Sequence, residues 1–240
     1  MTATIEIWYA LAEDLTTSKE LSARCEALLT PEERKKHAAF RFDKNKIEYL
    51  LTRALAHASL GTYLAAPAGS LAFVRNEYGR PQLSPRAPLH FNLTNTVQLV
   101  ACAVSRDHEV GVDAEPLDRG DTVLEIAETV FRAPELAAMQ RLPLEARRRR
   151  AVALWTLKEA YMKARGMGMS IPPLGFELGF DEATGRANSL SFFPPVEDRP
   201  GRWALATIEL EGHLVSVCVE TSEAPTIVVR RADLATMIGR

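Results

Sequence analysis

The sequence predicts an α+β fold built from two similar halves, and three repeated features carry that prediction. Both halves start on a short apolar strand, "IEIWYA" from Ile5 and "VGVDAE" from Val110. Both continue through a proline-opened helix to a longer helix that reaches a glycine, "YLLTRALAHASLG" to Gly61 and "LWTLKEAYMKARG" to Gly166. Both close on a strand of the same flavour, "LVACAVS" from Leu99 and "LVSVCVE" from Leu214. The opening strands and the helix glycines repeat at an offset of 105 residues, and the closing strands follow in the same order at 115. Each echo alone is weak, but recurrence in one order at nearly one offset points to a duplication.

Taken in order, the first strand leads to "LTPEERKKH", where Thr30 stands as a helix cap and Pro31 in the first turn. Ala133, Pro134 and Glu135 repeat that order in "FRAPELAAMQ". Gly79-Arg80 in "EYGRP" and Gly185-Arg186 in "ATGRA" mark turns between antiparallel strands. The polar "SRDHEVG" is a connector, which divides the chain into halves 1–107 and 108–240. "FFPPVEDRPG", Phe192 to Gly201, reads as a proline-rich loop between strands, and "RRADLATMIGR" as a short final helix. A cleft between two such halves is where a ligand is expected.

Bulk composition narrows the function classes. With 47% hydrophobic and 25% charged residues the 240-residue chain is of ordinary globular make-up. A formal net charge of −2 argues against a general nucleic-acid binder. Cys25, Cys102 and Cys218 are scattered and odd in number, which suits buried thiols in a reducing cytoplasm. The start "MTATIEIWYAL" lacks the basic segment and long apolar core of a signal peptide. No apolar run approaches the roughly 20 residues of a membrane span.

Chemistry gathers in two stretches. In "GVDAEPLDR" the strand alternation puts Asp113 and Glu115 on one face, where their repulsion calls for a compensating cation. In "WTLKEAYMKARGMGMS" the helical spacing aligns Trp155, Glu159 and Lys163 on one stripe, with Lys158 off to its side. An amphipathic helix with a Glu-to-Lys pair gives the same pattern. A large aromatic mixed with an acid and a base is nevertheless poor core composition, and the glycine-rich end admits close approach. Three converging carboxylates suit a hard octahedral ion such as Mg²⁺, and the lack of His and Cys there disfavours zinc. Lysines beside such a metal suit a polyanionic ligand.

"GVDAE" followed by "WTLKEAYMKARG" resembles the paired signature G-[IV]-D-x-E and W-x-x-K-E-A-x-x-K-x-x-G of 4′-phosphopantetheinyl transferases, surfactin-synthetase-activating type. "EYGRP" is similar to that family's E-x-G-K-P, and "HFNLTNT" to its H-F-N-x-S-H-S. The resemblance covers essentially the whole chain. It implies the family's fold, two α+β halves about a pseudo-twofold axis with the site between them. It also implies transfer of phosphopantetheine from coenzyme A to a serine of an apo acyl or peptidyl carrier protein, itself acidic, releasing 3′,5′-ADP.

By that resemblance Asp113, Glu115 and Glu159 hold Mg²⁺, with Mn²⁺ as the alternative, and Glu159 accepts the serine proton. Lys163 stabilises the phosphates, Lys158 does so from beside them, and Trp155 packs behind the site. In the first half Arg80 replaces the lysine of G-K-P and serves as a phosphate fork. Thr94 keeps the hydroxyl of the family serine, whereas Asn95 replaces its histidine and cannot carry charge. Arg34, Lys36, Arg41 and Arg53 stand where the family holds the 3′-phosphate, although each is also an ordinary surface charge. The run Arg147 to Arg150 is expected as a solvated turn ahead of the catalytic helix, or as a steering patch for the carrier. His90 adjoins the F-N motif, which suits either contact with a nucleotide or an ordinary packing or surface role.

The expected protein is a cytoplasmic monomer, since a covalent duplication contains its own interface. Rival readings are a non-catalytic coenzyme A or nucleotide sensor, a Mg²⁺-dependent phosphohydrolase, and a basic interaction module around the arginine run.

Overall fold

The structure, a computed structural model, describes residues 2–181 and 183–239. The first half runs β1 (Thr4–Leu11), α1 (Ala12–Thr16), α2 (Lys19–Leu28), α3 (Pro31–Ala39) and α4 (Asp43–Leu64). It continues through the hairpin β2 (Ala72–Arg75) and β3 (Pro81–Ser84) to β4 (His90–Thr96) and β5 (Leu99–Ser105). The second half repeats that order. It runs β6 (Val110–Pro116), α5 (Gly120–Glu125), α6 (Ala127–Val130), α7 (Ala133–Gln140) and α8 (Leu144–Ala164). The hairpin β7 (Phe176–Phe180) and β8 (Ala187–Phe192) then leads to β9 (Trp203–Leu210) and β10 (His213–Glu220). The repeat extends to the pairing. β1 lies antiparallel to β5 and β5 to β4, as β6 lies antiparallel to β10 and β10 to β9.

One departure from the repeat is β11 (Thr226–Arg231), which crosses back to pair parallel with β1, in register from Thr4↔Thr226. The first sheet therefore has the order β11-β1-β5-β4 and the second β6-β10-β9. The expected final helix is present as α9 (Leu234–Met237), packed over the first half. The division at 107/108 thus has a segment of the second half seated on the first.

Alternation along the central strands sorts the core into three parts. Ile5, Ile7, Leu99, Ala101, Val110, Val112, Val215 and Val217 meet between the two sheets. The opposite face of the first sheet receives α4, through Val100, Cys102 and Leu55. The opposite face of the second receives α8, through Leu157, Leu214 and Cys218. All three cysteines are buried free thiols.

Helix starts follow the expected chemistry. Thr30 Oγ1 accepts the Glu33 N–H at 3.2 Å while Glu33 Oε2 accepts the Thr30 N–H at 3.1 Å, a reciprocal cap. Helix α8 stops as expected, with Gly166 just beyond it at φ +70°. Helix α4 does not stop at Gly61 but runs on to Leu64, and Ala65 closes it in the left-handed region. Gly61 marks a close approach instead, since a Cβ there would lie 2.8 Å from the Ala66 carbonyl oxygen.

The arginine run is also corrected. Arg147 to Arg150 lie inside α8, and each has a partner. Arg147 bonds the Gln140 carbonyl, Arg148 bonds Asp121 and Glu145, Arg149 pairs with Glu209, and Arg150 stacks 3.9 Å over Phe180. They are helix residues that tie α8 to its neighbours, neither a solvated turn nor a free cationic patch. Among the described residues no helix is long and apolar enough to cross a membrane.

Candidate functional site

The site is built where the edge of β6 meets α8 on one side and β4 on the other. Helix α8 lies unusually close to β6 because Gly111 has no side chain. A Cβ there would fall 2.0 Å from the Ala160 carbonyl oxygen and 2.4 Å from the Ala164 nitrogen. That explains the glycine ahead of the acids: it lets the helix settle on the strand and brings the stripe beside Asp113. Trp155, Glu159 and Lys163 are all half-buried along it, and Trp155 packs on the core behind, as expected.

From the other half β4 presents Asn92, Thr94 and Thr96, alternate residues of one face. Asn92 Oδ1 accepts the Val112 N–H at 3.0 Å, Thr94 Oγ1 donates to Asp113 Oδ1 at 3.0 Å, and Thr96 Oγ1 to Glu115 Oε2 at 3.2 Å. A three-rung ladder of polar side chains thereby covers the free edge of β6. Asn92 and Thr96 were not singled out from the sequence. Their signal was the period-2 spacing around Thr94.

The charges are held as follows. Lys163 Nζ sits 2.6 Å from Asp113 Oδ1 and within 3.3 Å of both Thr94 Oγ1 and the Val112 carbonyl. Arg119 Nη1 lies 2.5 Å from Glu115 Oε1. Burial pushes the Asp113 carboxyl above its usual range and the Glu115 charge adds to this, against the pull of Lys163 and Thr94. Glu159 is raised likewise, first by burial and then by Asp113 and Glu115, with Lys163 opposing. Among the described residues Glu159 has no hydrogen bond or ion pair.

Among the described residues no three His, Cys, Asp or Glu side chains form a ready-made metal set. The donor chemistry nevertheless suits a hard cation. Asp113 is only 6% exposed and its Oδ2 is buried without a partner, an oxygen that a cation would satisfy.

The structure gives several of the expected ligand residues other partners. Lys158 is 0% exposed and points away from the acids, bonding the Pro173 and Phe176 carbonyls at 2.8 Å and Glu135 at 3.0 Å. Its position on α8, off the stripe, aims it into the core, so it does not reach a ligand at the site. Arg80 is no free fork. Its terminal nitrogens bond Glu109 at 2.9 Å, the Ala164 carbonyl at 3.0 Å, and the Phe91 and Val110 carbonyls at 3.3 Å. It caps the C-terminus of α8 and clips the two halves together. Arg53 is buried against Glu33 and 4.6 Å over the Phe73 ring. Thr94 is buried and turned to Asp113, while Asn95, Arg34, Lys36 and Arg41 are exposed.

Beside Arg80 a cavity of about 350 Å³ is lined by Arg86, Pro88, His90, Phe91 and Glu109. His90 Nδ1 lies 3.1 Å from Glu109. The exposed Arg86, unremarked in the sequence, adds a cation to this cavity.

Residues 109–218 match the family model described as the 4′-phosphopantetheinyl transferase superfamily. The 4′-phosphopantetheinyl transferase HetI of Nostoc sp. is 30% identical over 147 residues, 60% of this chain and 62% of that protein. The 4′-phosphopantetheinyl transferase gsp of Aneurinibacillus migulanus is 35% identical over 54% of this chain and 52% of its own length. The 4′-phosphopantetheinyl transferase Sfp of Bacillus subtilis is 26% identical over 68% of this chain and 72% of its own. The chain thus spans less than two thirds of the length of the first two relatives it matches.

Proposed function

We propose that this chain, whose residues 109–218 match the model of the 4′-phosphopantetheinyl transferase superfamily, moves phosphopantetheine from coenzyme A to a carrier-protein serine. The observation that carries this reading is the meeting of Asp113, Glu159 and Lys163 in one seam, with Asp113 Oδ2 buried and unsatisfied. A binding-only protein has no need of two carboxyls raised first by burial beside one lysine.

In this reading the serine oxygen attacks the β-phosphorus of coenzyme A. The new P–O bond joins carrier and phosphopantetheine, and the bond to the bridging oxygen breaks to release 3′,5′-ADP. The serine proton passes to Glu159, directly or through water, because that carboxyl has no other partner and a raised proton affinity. Lys163 stands next to Asp113 and supplies a positive charge toward the phosphates. Bound Mg²⁺, held by the acids of this seam, supplies charge neutralisation on the pyrophosphate. Thr94 and Asn92 act from the other half by holding Asp113 and the β6 backbone in place.

The nucleotide of coenzyme A is assigned to the cavity beside Arg80, where Arg86 and His90 offer donors. Arg34, Lys36 and Arg41 remain the exposed cations for its 3′-phosphate. The buried free thiols suit a reducing cytoplasm, and the reading takes the protein as a monomer acting on an acidic apo carrier.

The test is direct. Incubate the protein with Mg²⁺, coenzyme A and apo carrier proteins of several types, and weigh the carriers. A gain of one phosphopantetheine supports the reading. Unmodified carriers with free phosphopantetheine released would mean hydrolysis instead, and unmodified carriers without release would mean binding alone.

A further inference from the structure

One row across the second sheet is polar on the face that α8 covers. Asp113 on β6 pairs with Ser216 on β10, and Ser216 with Thr207 on β9, so the three side chains stand side by side. Ser216 Oγ lies 2.8 Å from Thr156 Oγ1 on α8 and 2.9 Å from Thr207 Oγ1. Thr156 donates its own proton to the Val152 carbonyl at 3.0 Å. With one proton per hydroxyl, the chain therefore runs one way, from Thr207 to Ser216 to Thr156. Ser216 and Thr156 are both 0% exposed, at places where an apolar residue would pack. Ser216 interrupts the apolar run Leu214, Val215, Val217, Cys218 and Val219. The matching row of the first sheet, Trp8, Cys102 and Leu93, has no hydroxyl.

We propose that the Ser216–Thr156 bond fixes where α8 stops along the second sheet, and so sets Glu159 against Asp113. This rests on the transferase reading above. Thr156 lies one helical turn before Glu159, and Ser216 stands directly across from Asp113. The bond therefore joins the helix that carries one acid to the strand row that carries the other. Apolar burial holds α8 on the sheet but has no direction, and it tolerates small slides. Gly111 sets how closely the helix approaches. A hydrogen bond of 2.8 Å is lost when the helix moves by about 1 Å, and the buried hydroxyls find no water in exchange. A displacement of that size costs roughly 10²-fold in rate. Thr156 and Ser216 touch no substrate in this reading and are positioning residues.

The test uses Ser216→Ala and Thr156→Val in the full chain, assayed by single-turnover carrier modification at saturating coenzyme A and well below each Tm. Each is expected to lower the rate by about 10-fold to 100-fold while coenzyme A affinity stays within about twofold. The double variant loses no more than the worse single, because one bond is removed either way. Thr156→Ser recovers most of the rate. Thr207→Val leaves the inner bond in place, so it costs Tm but not turnover. A second readout needs no turnover. The carboxyl carbon of Glu159 is followed by magnetic resonance through a pH titration, its signal identified by its loss in Glu159→Gln. Burial raises this carboxyl. A helix released from the sheet lets water in and lowers the midpoint by about 0.5 pH unit or more. Variants that lose Tm yet keep the parent rate and the parent midpoint overturn the inference. A parent protein that modifies no carrier ends the transferase reading instead, and the Glu159 midpoint then decides on its own whether this bond places the helix.

Discussion

Thr94 and Asp113 face each other across the seam between the halves, with the threonine hydroxyl donating to the carboxylate at 3.0 Å. The contact joins the two similar halves at a strand whose acids have no counterpart in the other half. The strand position equivalent to Asp113 in the first half is Trp8, and to Glu115 is Ala10. Replacing Thr94 by Val removes that donor and leaves Lys163 as the sole partner of Asp113 Oδ1. The expected cost is about 1–2 kcal/mol in urea unfolding, with turnover falling more than coenzyme A binding. Thr94→Ser retains both.

Glu159→Gln separates stability from activity. The charged acid is disfavoured in the folded chain by burial and by two neighbouring acids, so neutralising it raises Tm at neutral pH. Loss of the proton acceptor lowers turnover by about 10²–10⁴-fold. Thermal melts and single-turnover assays on one preparation check both signs.

Gly111→Ala drives a methyl into the α8 backbone, against the Ala160 carbonyl and Ala164 nitrogen. Neither is a flexible side-chain tip, so helix and strand separate. Stability falls by about 3 kcal/mol, and turnover falls with it because Glu159 retreats from Asp113. A variant with parent stability and parent rate would contradict this role.

Lys158→Ala leaves Glu135 charged in the core without its cation, at a cost of about 3–5 kcal/mol. The double change Lys158→Met with Glu135→Leu recovers much of that loss. Coenzyme A affinity, measured by calorimetry on the double variant, stays at the parent value because the lysine is turned away from the seam.

Acid unfolding has a contribution from Glu33. Burial would raise this carboxyl, but the neighbouring His57 ring, the Arg53 charge and the Thr30 N–H outweigh it and lower it to about 2 from 4.5. A depressed acid stabilises the fold fully above its unfolded value and loses that contribution as pH falls toward the folded one. Stability therefore drops between about pH 4.5 and 2 by on the order of 2–3 kcal/mol. In Glu33→Gln that part of the slope disappears.

Much of this site could be read from periodicity alone. Period 2 put Asp113 and Glu115 together, helical spacing aligned Trp155, Glu159 and Lys163, and the near-constant offset foretold two similar α+β halves. The basic residues were less legible. Lys158, Arg80 and Arg53 look like ligand contacts in a linear string, yet their partners Glu135, Glu109 and Glu33 lie outside any motif. Whether a cation faces solvent or an acid depends on which elements pack together, and local spacing does not encode that. Arg119 was hidden for the opposite reason. It stands inside "GVDAEPLDR", but its return onto Glu115 depends on the turn of helix after Pro116.

The crossover of β11 bears on how the polypeptide emerges from the ribosome. β1 is made well before β11, yet one of its edges is paired only when residues 226–231 arrive. The first half therefore waits with an unpaired strand edge through synthesis of the second, and cannot fold vectorially as a finished unit. A nascent chain stalled ahead of Thr226 should remain sensitive to protease in both halves, and release of the last strand should protect them together.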